Sequence, residues 1–257
     1  MRRIRVIPAL LLQGDGLVKT IKFKKPKYVG DPINTVKLFN EKEVDEIVVL
    51  DISATPEKRE PNFRVAREIA SECFMPLCFG GGIQSVDHAK KLFDSGIEKV
   101  AINTAAYEDP RLIEAIARIY GTQAVVVSVD VKKSLFGKYQ VYTQGGKKNT
   151  KKDPREYAQE MERRGAGEIL LYSIDRDGTY QGYDLDLISY VSPAVNIPLI
   201  ACGGANHLDE FKSVINEGHA SAVAAGSLFV FKGKEHRAVL VNYPKQEELM
   251  EKLYEQV

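Results

Sequence analysis

Eight short runs of almost unbroken apolar residues recur along the 257-residue chain. They read IRVIPALLL, EIVVLDI, MPLCFGG, KVAIN, AVVVSVD, EILLYSI, IPLIACGG and SAVAAGS. A strand with one face in water alternates apolar and polar residues, so a run that is apolar throughout predicts a strand covered on both faces. Between the runs lie helix-period segments at 32–43, 61–72, 85–94, 110–119, 153–164, 184–191 and 207–216, and one more follows at 245–256. Eight strand–helix units in series predict an α/β fold, a closed parallel (β/α)8 barrel forming one domain over 1–257. An apolar content of 44% suffices for its core.

The two halves of the chain resemble each other. Asp31-Pro32 and Asp153-Pro154 are 122 residues apart, as are Glu46 and Glu168, and Gly81-Gly82 and Gly203-Gly204. Asp51 aligns with Asp175 at a spacing of 124. A near-constant offset predicts a TIM barrel built from two similar (β/α)4 half-barrels about a pseudo-twofold axis.

Function in such barrels sits at the C-terminal strand tips. Strand 3 ends in GGGI (Gly80 to Ile83) and strand 4 in Asn103-Thr104; strand 7 ends in Gly203-Gly204 and strand 8 in Gly226-Ser227. Gly178 and Thr179 follow strand 6. Glycine lets several backbone N–H groups approach one anion, and small polar side chains add donors. Two such sets related by the repeat predict two phosphate sites and a phosphorylated small molecule as ligand.

Asp130 ends strand 5 and is placed to act as a general acid or base. Asp51 and Asp175 read either as functional acids or as structural groups that cap loops or pair with Arg176, which Asp175 and Asp177 flank. The twofold demands a partner for Asp130 at the tip of strand 1, but Leu10 and Leu11 stand there and neither moves a proton. Asp15, past Gly14, serves only if its loop folds back. Residues 13–31 carry Lys19, Lys22, Lys24, Lys25 and Lys27 and read as a long basic lid or a solvated loop. GKYQVYTQGGKKNT reads as a small hairpin. At the opposite barrel end, Arg5, Glu46, Lys99 and Glu168 open strands 1, 2, 4 and 6. Their alternating signs suit either solvated strand starts or a mutually paired ring plugging the barrel.

Composition excludes several classes. Net charge is +1, which gives no general affinity for nucleic acid. Cys73, Cys78 and Cys202 form no disulfide framework. His88, His207, His219 and His236 are scattered, read as surface residues, and make no ligand set, so no metal or cofactor is expected. Cys202, beside Gly203, lacks an evident base. No run reaches the roughly 18–20 apolar residues that span a membrane, and the basic start MRRIRVIPALLL lacks a cleavage site. These features predict a cytoplasmic protein.

The segments GDP, LDI, GGGI, KVAINTAA, QAVVVSVD, GKKNT, RGAGEILL and SIDRDGT together resemble the cyclase subunits of imidazole glycerol phosphate synthase over essentially the whole chain. The resemblance implies a glutaminase partner whose ammonia passes through the barrel. It implies an ammonia gate of Arg5, Glu46, Lys99 and Glu168, and a general acid at Asp130. It also implies phosphate sites at Gly82, Asn103 and Thr104 and at Gly178, Gly204, Gly226 and Ser227. Two positions depart from that pattern: Leu11 stands where the family has its other catalytic aspartate, and Tyr172 where it usually has threonine. RVIPALLL, SECFMPLCFGGGI, GSLFVFKG and HRAVLVNYP resemble more closely the cyclase-like proteins of acetamidino-sugar modification. That branch implies an ammonia-relaying subunit beside a glutaminase and an ATP-dependent amidotransferase, since no P-loop occurs here. The alternatives are a true cyclase of histidine biosynthesis and a scaffold that activates the glutaminase without passing ammonia.

Overall fold

In strand 1 (Arg5–Gln13) successive side chains enter two different apolar layers. Val6, Leu10 and Leu12 pack outward under the helices, whereas Ile7 and Ala9 face the barrel axis. That double burial is why the run carries no polar alternation. The structure, a computed structural model, describes residues 4–134, 136–232 and 238–256. His236 and part of HRAVLVNYP lie outside them.

Strands 2 to 8 are Ile47–Asp51, Leu77–Gly80, Lys99–Ile102, Val125–Lys133, Glu168–Ser173, Leu199–Cys202 and Ala222–Ala225. Each is parallel to the next, and strand 8 pairs with strand 1 through Arg5↔Ala222 to Pro8↔Ala225, closing the barrel. Strand 1 therefore lies across the barrel from strand 5. The outer helices are Pro32–Asn40, Phe63–Glu72, Val86–Phe93, Arg111–Tyr120, Pro154–Arg163, Leu185–Val191, Asp209–Asn216 and Gln246–Lys252. All eight expected helices form, and most are a few residues shorter than their periodicity suggests. The first stops at Asn40, where Glu43 soon takes φ +53° and breaks the helical path.

The half-barrel repeat extends to backbone detail. Asp31 caps the first helix by accepting from Asn34 N, and Asp153 caps the fifth by accepting from Arg155 N and Glu156 N, each just before a proline. Two short helices not anticipated from sequence, Thr104–Glu108 and Ser227–Val230, follow strands 4 and 8. Their caps, Asn103 (φ −116°, ψ −80°) and Gly226 (φ −106°, ψ −75°), share one conformation. One alignment needs correction. A Cβ on Gly81 would strike the Asp51 carbonyl and one on Gly203 the Ser173 carbonyl, so the spatial counterpart of Asp51 is Ser173. Asp175 lies beyond the strand end, where its carboxylate accepts from Lys133 N.

Residues 13–31 are not a solvated loop, and Thr20, Phe23 and Pro26 from this segment stand on the wall of the strand-tip cavity. Gly16–Ile21 and Lys24–Gly30 make an antiparallel hairpin that continues strand 1 by Leu11↔Val18, Leu12↔Leu17 and Gln13↔Gly16. Lys19 is buried; Lys22, Lys24, Lys25 and Lys27 face solvent. The hairpin after strand 5 forms as expected, with Tyr139–Thr143 pairing both strand 5 and Lys148–Asn149.

Candidate functional site

The strand tips of the first half surround a cavity of ≈ 330 Å³. Gly81, Gly82, Asn103 and Thr104 line it, with Asp51, Ser128, Asp130, Leu11 and Tyr172. Gly81 and Gly82 take φ +108° and +74°, conformations that strain any side-chain-bearing residue. Gly82 also lies against the Arg59 carbonyl, leaving no space for a Cβ. The Asn103 amide donates to the Ser128 carbonyl at 3.0 Å, and its oxygen accepts from Thr104 Oγ1 at 3.2 Å. These bonds lock the strand 4 tip against strand 5.

Leu11 and Asp130 both line the cavity, from opposite sides of the barrel. Asp130 is buried and accepts from Ser128 Oγ at 2.9 Å. Burial raises its carboxyl from 3.8 to about 7; the Ser128 bond opposes the shift and the nearby Asp177 charge adds to it. A carboxyl poised near neutrality can both give and take a proton. Asp15 does not complete a pair. It is exposed, 2.6 Å from Arg64 and 3.1 Å from the Asn62 amide.

Asp51 is held structurally, not by Arg176. Arg59 donates to both its oxygens at 2.8 Å, and Ser53 and Ala54 donate their backbone N–H groups. Arg176 instead donates to the Gln181 carbonyl. His207 and His219 are exposed, but His88 is not a simple surface residue. Its ring is largely covered, with Nδ1 3.3 Å from the Gly82 carbonyl. Burial pushes the Cys202 thiol up to about 12, Cys73 to about 11 and Cys78 well above its ordinary range, so none is a ready thiolate. No group of three metal-ligating side chains occurs among the described residues.

The second half's tips are gathered differently. Gly178, Gly203, Gly204, Gly226 and Ser227 surround a cavity of only ≈ 10 Å³. Lys19 lies against this tip: a Cβ on Gly226 would collide with its Nζ, which donates to the Ala9 carbonyl at 2.5 Å. Burial pushes the Lys19 ammonium down to about 8, against the attraction of Asp177. Beside it, Asp177 accepts from Tyr172 OH at 3.0 Å, Thr20 Oγ1 at 2.7 Å and Phe23 N at 3.1 Å. Asp177 thereby fixes the hairpin turn, whose Lys22 and Phe23 hold φ of +53° and +59°. Two non-glycine residues in that region cost roughly 1–3 kcal/mol each. Asp177→Ala is therefore expected to destabilise the fold by roughly 2–4 kcal/mol and to accelerate amide exchange at 20–23. Urea denaturation and hydrogen exchange check both.

At the far end, Arg5, Glu46, Lys99 and Glu168 close a ring. Arg5 contacts Glu46 at 2.5 Å and Glu168 at 3.0 Å, and Lys99 contacts Glu46 at 3.0 Å and Glu168 at 3.2 Å. Both carboxylates are buried. Burial works against the Arg5 charge, but the two carboxylates outweigh it and hold the guanidinium above its ordinary value. An apolar layer including Ile7, Val48, Cys78, Val126, Leu170 and Ile200 fills the axis above the ring.

Sequence reasoning missed Gln13, Thr20, Phe23, Ser128 and Lys147, all on the first cavity's wall. Ser128 was open to discovery by period-2 alternation with Asp130; the hairpin residues were hidden with their hairpin.

The molecule is thus a (β/α)8 barrel with glycine-rich tips around a cavity at one end and a buried ion ring at the other. Residues 5–235 match the family model described as histidine biosynthesis protein, and the chain belongs to that family. It is 53% identical over 244 residues to a Pseudomonas aeruginosa protein carrying the provisional name imidazole glycerol phosphate synthase subunit hisF2, covering 95% of this chain and 97% of that one. A Vibrio vulnificus protein with the provisional name subunit hisF3 is 48% identical, covering 96% and 95%. The imidazole glycerol phosphate synthase subunit HisF of Alkaliphilus metalliredigens is 43% identical, covering 88% and 89%.

Proposed function

We propose that this chain is the barrel subunit of a glutamine-dependent amidotransferase complex. A glutaminase subunit docks at the ring end and supplies ammonia, which leaves at the strand-tip cavity. There the nitrogen serves conversion of an acetamido to an acetamidino group on a bacterial surface sugar. The ATP chemistry lies in a separate ATP-dependent amidotransferase. The carrying observation is a closed ring at one end combined with Leu11 across the cavity from Asp130 at the other. Ring closure of an imidazole needs proton transfer at both ends of its substrate, and this cavity sets Leu11, not an acid, across the barrel from Asp130. Relay needs less. Neutral ammonia crosses an apolar layer at low cost, whereas an ammonium ion there faces a steep desolvation penalty. Lys99, on a flexible stem, is the member able to swing aside.

Gly81, Gly82, Asn103 and Thr104 form an anion cradle for a phosphorylated small molecule, with the exposed Lys147 on the same wall as counter-charge. A cyclase of histidine biosynthesis is the second reading, favoured by the poised Asp130 and the names of the relatives.

The test uses Lys99→Met in the reconstituted complex. Glutamine-driven product is expected to fall at least about tenfold, a barrier change of about 1.4 kcal/mol, while product driven by external ammonia is retained. Unchanged glutamine-driven product would sink the relay and leave a non-channelling scaffold. Rapid ammonia-dependent turnover of the phosphoribulosyl formimino substrate by the purified barrel would establish the second reading instead.

A further inference from the structure

The repeat built two glycine-rich tips with matching backbone, yet they enclose ≈ 330 Å³ and ≈ 10 Å³. The glycines themselves do not cause this difference. Gly81 and Gly203 each lie behind a carbonyl of the preceding strand's tip, and Gly82 and Gly204 each against a loop carbonyl. What differs is what stands in front. Lys19 reaches the tip at Gly226, and the Thr20 carbonyl covers Gly178. Tyr172 is the one residue that lines both cavities among the described residues.

We propose that Tyr172 is a partition that converts a two-phosphate cleft into a pocket for a ligand with a single phosphate, held at the first-half tip. Tyr172 is buried on the inner face of strand 6, and its hydroxyl is tied to Asp177. Its ring packs edge-on against Phe23 at 4.9 Å. Asp177 also holds Thr20 and the Phe23 amide, so wall and hairpin brace one another. A second phosphate would have to displace an aromatic ring, a lysine and three hydrogen bonds to one carboxylate. The open side offers a monophosphate ester the Gly81–Gly82 backbone beside the locked Asn103–Thr104 tip, Lys147 as counter-charge, and Asp130 facing the ligand body. A volume of this size sits at the small end of ligand sites, fitting a short sugar phosphate.

This inference rests on reading the first-half tip as an anion cradle, and the experiment separates the two. The full-length protein is titrated with fructose 6-phosphate and with fructose 1,6-bisphosphate, by calorimetry and phosphorus NMR. The wild type is expected to bind both with affinities within about threefold and to perturb one of the two bisphosphate resonances. Tyr172→Thr, which suits a strand and keeps a hydroxyl but removes the ring, is expected to gain at least tenfold for the bisphosphate alone and to perturb both resonances. Tyr172→Phe keeps the ring and is expected to retain the one-phosphate behaviour. A wild type that binds the bisphosphate more than tenfold tighter, with both resonances perturbed, overturns the partition and spares the cradle. A folded Tyr172→Thr with no gain also overturns it. No binding of either compound overturns the cradle reading and the partition with it. If Tyr172→Thr does not fold, the wild-type comparison decides alone.

Discussion

Glu46→Leu is expected to lower stability by about 3–5 kcal/mol, the usual cost of removing one member of a buried ion pair. Glu46 is 1% exposed and contacts both Arg5 and Lys99. Without it two cations share Glu168 alone in a confined space, and each loses a charged hydrogen bond. The loss should appear as a shift of the urea midpoint with little change in slope. Lys99→Met is expected to cost less, because Arg5 continues to bind both carboxylates. In the double variant Glu46→Leu/Lys99→Met one negative and one positive charge leave together, so part of the loss should return as a coupling between neighbours. A Glu46→Leu cost below about 1 kcal/mol would mean a solvent-screened ring that holds nothing together.

That ring was legible in the chain because charges opening apolar strands have few other uses. Alternating signs at Arg5, Glu46, Lys99 and Glu168 left only solvated strand starts or mutual pairing, and burial decided between them. The barrel was legible for a related reason: double-sided burial writes itself as unbroken apolar runs. The glycine tips followed from the repeat. The first hairpin did not, since its exposed strand Lys24–Gly30 shows lysines and a proline. Its turn also uses Lys22 and Phe23 where such turns ordinarily take asparagine and glycine. Asp177 supplies what the turn sequence lacks, 157 residues further along the chain from Thr20. The closure of the second tip was hidden in the same way. Each residue there reads as ordinary alone, and the plug exists only where the hairpin meets strand 6.

Asp130→Asn is expected to make the protein more stable at pH 8 than the wild type, by up to about 4 kcal/mol. The sign follows from the raised carboxyl, about 7 in the folded chain against 3.8 ordinarily. Below 3.8 both states hold the proton and the group contributes no pH dependence. Between those values the unfolded chain ionises while the folded chain keeps its proton, so stability falls as pH rises. Above 7 the penalty of a buried carboxylate is complete. Asparagine carries no such penalty and still offers its oxygen to Ser128 Oγ, now bound at 2.9 Å. The quantity to measure is the difference in unfolding free energy between wild type and variant from pH 4 to pH 8, in which the other titrating groups largely cancel. It should be small at pH 4 and widen to pH 8. A difference flat within about 1 kcal/mol would mean that water or a countercharge already reaches the carboxylate. The same profile bears on chemistry. A group half-protonated near neutrality serves one proton transfer in either direction, and Leu11, across the barrel, gives it no counterpart. Placing a carboxyl there by Leu11→Asp would add a like charge facing the same cavity and push Asp130 higher still. The wild-type leucine therefore leaves Asp130 titrating closer to neutral pH.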